Sequence, residues 1–258
     1  MELVSRVAFV LCRPMNSGNI GAAARALKNM GFSDLRIVAP AASSRNRSAT
    51  AMAVHAGDVL ANASIWPELG SALADRTITV GTTCRAGLYR SGAMWLRDAA
   101  SALANDASTN RIAIVFGPED HGLTNDELKL CHRLITIPAA EEYPSLNLAQ
   151  AVMVVAYELH LAMAASNSTA RAATAEFAPA DEVEAMLARM AEALVSIGFL
   201  PEDNPDHIMF ALRAILGRAG LARRDLDILN GIARQMKWTA EGGAETLSRK
   251  RRVGLKLK

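Results

Sequence analysis

The sequence predicts an α/β fold on a parallel sheet, followed by a small helical module. Three observations carry that expectation. Apolar runs of strand length alternate with helical patterns through the first part of the chain, as strand–helix–strand units around a parallel sheet require. Three short segments bearing glycine and asparagine fall where a strand hands over to a helix, the end of an open α/β sheet at which ligands bind. A polar stretch of small residues then precedes three further helical patterns.

The elements follow in order. Residues 7–12 are apolar and of strand length. Ser17 or Asn19 can cap a helix running to Met30, with Gly31 as its stop. Residues 35–38 read as a strand, 49–60 as a helix, and 67–73 as another with Pro67 in its first turn. Strands are expected at 77–81, 111–116 and 134–137. Between the last two, Thr124 with Glu127 three residues on forms a capping box.

Residues 147–163 differ, because only Gln150, Glu158 and His160 form a polar stripe on an otherwise apolar helix. Such a helix is buried in the core or at a subunit interface. Domain boundaries follow: 1–163 as the sheet domain, 164–180 as a linker, 181–238 as a helical module with patterns at 181–197, 206–217 and 224–238, and 239–258 as a basic flexible tail.

The net charge of +2 conceals an asymmetry. Arg249, Lys250, Arg251, Arg252, Lys256 and Lys258 end the chain without an acid, and the remaining 22 basic residues face 26 acids. Residues 176–206 hold eight acids against Arg189, whereas residues 207–238 hold six basic residues against Asp225 and Asp227. A basic tail suggests a polyanion contact; a solvated tail and a salt-bridged bundle are the plain alternatives. The hydrophobic share of 51% supports a full core. No uninterrupted apolar run reaches the ~18 residues of a membrane span, and the N-terminus lacks the pattern of a signal peptide. Cys12, Cys84 and Cys131 form no CxxC pair, so neither a disulfide framework nor a zinc knuckle is expected, and a reducing cytoplasm fits.

The first segment, residues 16–25, is N-S-G-N-I-G-A-A-A-R. It lacks the third glycine of a dinucleotide fingerprint and the G-K-S/T of a P-loop. What remains is a polar turn that lets backbone approach a ligand, with Arg25 following three alanines and either free to reach a phosphate or a surface arginine of an amphipathic helix. In the second segment Gly117 and Gly122 bracket a tight loop in which Glu119 could accept from a ligand amine or hydroxyl or could be a solvated loop acid; His121 reads as an exposed loop histidine. In the third, Ser145 and Asn147 offer a hydroxyl and an amide, or simply cap the apolar helix.

Together these segments, N-x-G-N-I-G-A-x-A-R, then F-G-x-E-x-x-G-L-x-N, then I-P and Y-x-S-L-N-L-A-x-A-V, resemble the SPOUT superfamily of S-adenosylmethionine-dependent RNA methyltransferases. The similarity is to the TrmH-type ribose 2′-O group, and within it to the TrmJ branch that acts on the tRNA anticodon loop. It covers residues 5–163, and residues 198–205 and 226–231 resemble that branch's C-terminal extension. The resemblance implies a trefoil knot, a homodimer with a shared active site, and S-adenosyl-L-methionine as cofactor. It carries cofactor binding onto Thr82, Thr83, Cys84, Gly117, Ile137, Ser145, Leu146 and Asn147, catalysis onto Arg25, and motif support onto Asn19 and Glu119. Cys84 departs from a usual alanine, so backbone contact is expected there. No metal and no membrane partner are implied.

The expected reaction is 2′-O-methylation of a cytidine or uridine ribose in the tRNA anticodon loop, at position 32. Arg25 would serve electrostatically, since a guanidinium does not give up its proton. Methylation of ribosomal RNA and a non-catalytic RNA-binding role stay open as alternatives.

Overall fold

Seven parallel strands form one sheet in the order β3-β2-β1-β6-β4-β7-β5. The structure is a computed structural model and describes residues 3–85, 90, 92–166, 175–201 and 203–243. The strands are β1 (Val7–Cys12), β2 (Asp34–Val38), β3 (Ser64–Trp66), β4 (Ile78–Thr82), β5 (Met94–Trp95), β6 (Ile112–Phe116) and β7 (Arg133–Thr136). Every residue of β1 and β6 is buried, as a parallel sheet covered on both faces requires.

Helices α1 (Ser17–Asn29), α2 (Arg47–Ala53), α3 (Gly57–Ala61), α4 (Leu69–Leu73), α5 (Leu96–Asp106), α6 (Asn125–Lys129) and α7 (Leu148–Ser166) accompany the sheet. The cap of α1 is Asn16, one residue before the expected Ser17, and its side chain accepts from Gly18 N. Gly31 follows the helix with φ +80°, a conformation that favours glycine. The expected helix at 49–60 is two helices, because Val54 adopts φ +52° and breaks the run. Strands β3 and β5 and helix α5 are additional to the sequence reading.

Helix α1 crosses α2 at Gly21, where a Cβ would stand 1.9 Å from Ala49 O. Helix α7 packs one side, Leu148, Val152, Val155, Ala156, Leu159 and Met163, into the core against α1 and α5. Arg97 of α5 pairs with Glu158 of α7 at 3.0 Å. The window Leu148–Ala165 is long and apolar enough to cross a membrane by length and composition, Glu158 being its only charged residue, and a third of it is buried.

The chain divides into two compact units at Asp181/Glu182. Before that boundary, the stretch expected as a linker is partly structured: α7 continues to Ser166, and residues 175–180 are held at the start of the sheet's strands. Fully buried Asn110 accepts from Phe177 N and donates to Ala175 O, both at 2.9 Å, while Ala180 N donates to Arg76 O at 2.7 Å.

The second unit comprises α8 (Ala180–Ser196), α9 (Asp206–Ala219) and α10 (Arg223–Trp238). Its charge asymmetry is partly internal: acids of α8 pair with later cations, Glu184 with Arg213, Glu182 with Arg223 at 2.9 Å and Glu192 with Lys237 at 3.3 Å. Arg218, Arg224 and Arg234 are exposed. Thr239–Gly243 continue past α10 as a π-type turn whose Gly243 lies against the Trp238 indole. The rest of the expected tail, residues 244–258, lies outside the described residues.

Candidate active site

The three neighbouring strands β6, β4 and β7 end at one pocket of about 330 Å³, within the size range of small-molecule sites. The last residue of β4 with the residues after it (Thr82–Arg85), the last of β6 with the residues after it (Phe116–Leu123) and Ile137 after β7 line it, together with Pro144, Ser145 and Leu146 ahead of α7. Parallel strands deliver these loops to the same end of the sheet, and hydrogen bonds fix them there. Thr82 Oγ1 donates to Val115 O at 3.0 Å, and Thr83 N donates to Ile135 O at 3.0 Å.

The loop after β6 closes upon itself. Gly122 N donates to Pro118 O at 3.0 Å, and a Cβ on Gly117 would fall 2.2 Å from Gly122 C. Gly122 has φ +64°. Only glycine at 117 permits this closure, which holds residues 117–122 as a tight loop at the pocket. Apolar Phe116, Leu123, Leu128, Ile137, Leu146 and Leu148 supply walls suited to a flat heterocycle.

Glu119 serves the protein's own backbone. Its carboxylate accepts from Met15 N at 2.9 Å, Asn16 N at 3.2 Å and Asn19 Nδ2 at 2.8 Å, so it holds the turn that opens α1. Asn19 Oδ1 in turn accepts from Asn147 Nδ2 at 3.0 Å. Asn147 Oδ1 caps α7 by accepting from Ala149 N at 2.9 Å. The three sequence segments therefore meet through Glu119, Asn19 and Asn147.

Of the expected site residues, Thr82, Thr83, Cys84, Gly117, Glu119, Ile137, Ser145 and Leu146 line the one pocket. Asn147 lies beside it through Asn19. Arg25 is exposed further along α1 and is not among the lining residues.

Sequence reasoning missed Arg13, Arg85 and Arg90. Arg13 follows β1 with φ +46°, uncommon for a non-glycine residue. Its guanidinium holds both oxygens of buried Glu127, the N3 residue of the observed capping box, and stands 3.3 Å from His121 Nε2. Arg13 thus ties the end of β1 to the pocket loop. Arg85 and Arg90 line the pocket, and Arg90 donates to Leu123 O at 3.1 Å. The only sequence signal for either was position after a strand.

Thiol chemistry is confined to one position. Burial pushes the Cys12 and Cys131 thiols up, with Glu127 adding to both shifts, so each stays protonated and inert. Cys84 is exposed at the pocket. Among the described residues, no group of three or more His, Cys, Asp or Glu side chains is placed to hold a metal ion.

Comparison with known proteins bears on both units. The sequence profile of the SpoU rRNA Methylase family matches residues 6–157, and that of the tRNA methyltransferase TrmJ, C-terminal domain, matches residues 181–246. The chain is 36% identical over 243 residues to the tRNA (cytidine/uridine-2′-O-)-methyltransferase TrmJ of Salmonella typhimurium, covering 93% of this chain and 100% of that protein. The crystal structure of TrmJ from Z. mobilis ZM4 superposes with a TM-score of 0.75 at 33% identity, covering 89% of this chain and 98% of the other. A probable methyltransferase from Bordetella pertussis Tohama I superposes with a TM-score of 0.58 at 38% identity, over 62% of this chain and 96% of that one.

Proposed function

Because the chain belongs to the SpoU rRNA Methylase family and ends in a match to the TrmJ C-terminal domain, we propose that it methylates the 2′-hydroxyl of a cytidine or uridine ribose in the tRNA anticodon loop, at position 32. The observation that carries the reading is the convergence of Thr82, Thr83, Cys84, Gly117, Ile137, Ser145 and Leu146 on one pocket at the ends of β6, β4 and β7.

S-adenosyl-L-methionine would fit that pocket of about 330 Å³, whose walls are Phe116, Leu123, Leu128, Ile137, Leu146 and Leu148 and whose rim is the closed loop that Gly117 permits against Gly122. When bound it supplies an electrophilic methyl group on a sulfonium. The backbone of residues 82–84 and 117–122, with Ser145 and Leu146, would hold it. Cys84 contributes packing. Glu119 and Asn19 hold the α1 turn at the pocket's rim.

Arg25 is assigned to the substrate. Its guanidinium would bind the adjacent phosphate and stabilise negative charge growing on the ribose oxygen, while phosphate or water takes the proton. Its place outside the pocket of its own subunit supports a homodimer in which Arg25 serves the partner's pocket. The free side of α7 supports the same assembly: Tyr157 and Leu161 are 47% and 46% exposed and lie one turn apart.

The return of the chain after β7 across the pocket into α7 is consistent with a trefoil knot at residues 82–85, 117–123 and 137–148. The helical unit and the basic tail would bind the tRNA body. The cytoplasm suits this substrate and the free cysteines. Ribose-methylation mapping of tRNA from cells lacking the gene tests the reading, and loss of one 2′-O-methyl mark in the anticodon loop is the expected result.

A further inference from the structure

The basic side chains beside the start of α1 have no internal explanation. Arg45 and Arg47 flank Asn46, the cap of α2, and both are exposed. Among the described residues neither guanidinium has an ion pair or a hydrogen bond. The first turn of α2 contains no acid, and cations there oppose the helix dipole. Internal stability therefore does not account for two arginines at this end.

Their position is nonetheless fixed. Asn46 Oδ1 accepts from Ala49 N at 2.9 Å, and Asn46 Nδ2 donates to Ser17 Oγ, the first residue of α1, at 2.7 Å. The close crossing of α1 and α2 at Gly21 and Ala49 adds a second anchor. The start of α1 is in turn bound to Glu119 of the pocket rim. A continuous hydrogen-bonded path thus joins the pocket to the two arginines. Exposed Ser43 and Ser48 place hydroxyls around them.

We propose that Arg45 and Arg47 form a phosphate-binding edge that holds the RNA backbone flanking the target nucleotide. The proposal rests on the reading of RNA as substrate and adds the surface on which that substrate is positioned. Guanidinium forks on a rigid turn suit phosphate oxygens, and such contacts set register without reading sequence. Arg25 lies on the same packed helix pair, so this edge accompanies Arg25 to whichever pocket it serves.

The test is filter binding of full-length protein to unmodified tRNA across a potassium chloride series. Arg45→Ala with Arg47→Ala should flatten the log–log salt slope by about 1.4–1.8 and weaken binding roughly 25- to 60-fold near 0.1 M salt. Binding of S-adenosyl-L-methionine by calorimetry should not change. Arg45→Glu with Arg47→Glu should weaken binding further while melting at the same or a higher temperature, because acids suit a helix's first turn. That pair separates lost contact from lost fold. Unchanged affinity and slope in both variants would overturn the proposal. If the wild type methylates ribosomal RNA fragments and not tRNA, the tRNA reading fails, and the same series on that RNA still judges the two arginines.

Discussion

Glu119 accepts a hydrogen bond from Asn19 at 2.8 Å across 100 residues of sequence, and Asn19 accepts one from Asn147 at 3.0 Å. This chain joins the three loop segments into one object. The rim of the pocket, the first turn of α1 and the cap of α7 are therefore tied to one another, and α1 carries Arg25.

Glu119→Ala should break this joint. Two backbone N–H groups and one amide lose their acceptor, so the α1 turn is no longer fixed against the pocket. Methyl transfer should fall about 10²-fold, the cost expected when a positioned group shifts by about 1 Å. Cofactor affinity should change far less, because the pocket walls remain. Single-turnover kinetics beside calorimetry checks this; a purely cofactor-binding role would show the reverse pattern.

Arg25→Ala should lower turnover roughly 10²–10³-fold, as removal of one electrostatic donor does, with cofactor binding and assembly intact. Gly117→Ala should lose the cofactor, since the new Cβ meets the Gly122 backbone at 2.2 Å. Mixing the two inactive proteins and allowing subunit exchange should restore activity, because a hybrid dimer joins one intact pocket with one intact Arg25. A mixture that stays inactive after exchange would place Arg25 in the site of its own subunit.

The free face of α7 should be the dimer contact. Tyr157→Asp with Leu161→Asp should reduce the mass seen by light scattering from twice the 27.5 kDa chain to once, leaving the helical circular dichroism signal in place. An unchanged mass would assign the contact elsewhere.

The cysteines make a pH prediction. The folded thiols of Cys12 and Cys131 are raised by burial above their unfolded values. A group whose folded pKa is raised contributes stability below the unfolded pKa, near 8.5, and loses it as pH climbs toward the folded one. Denaturation midpoints should therefore fall between pH 8 and 10, and the slope should flatten in Cys12→Ala with Cys131→Ala. In the native protein a thiol reagent should label Cys84 alone, more slowly when cofactor is present.

Much of the architecture was legible because its signals are local. The fully apolar β1 and the Thr124–Glu127 capping box each lie within a few residues. Helix α5 was not read from the sequence, although its buried Leu96, Ala99, Ala100, Leu103 and Ala104 are spaced as one helical side. Strands β3 and β5 have three and two residues, too few for alternation to register. The break at Val54 lacks a proline or glycine at the turning residue. In the site, glycine and asparagine segments marked the loops, but pairings across a hundred residues left no trace. Glu119 read as a ligand acceptor or a solvated loop acid, and the fold commits it to Met15, Asn16 and Asn19. Arg13 and Glu127, 114 residues apart, could not be joined without the sheet.

The proposed activity is tested most directly by transfer of labelled methyl from S-adenosyl-L-methionine to unmodified tRNA by the purified protein, followed by nuclease digestion and mass mapping. One added methyl is expected on the ribose of a cytidine or uridine at position 32 of the anticodon loop, its 3′ linkage resistant to alkali. A folded, cofactor-binding protein that leaves every tRNA unmethylated, or that places the methyl on a base, would contradict it.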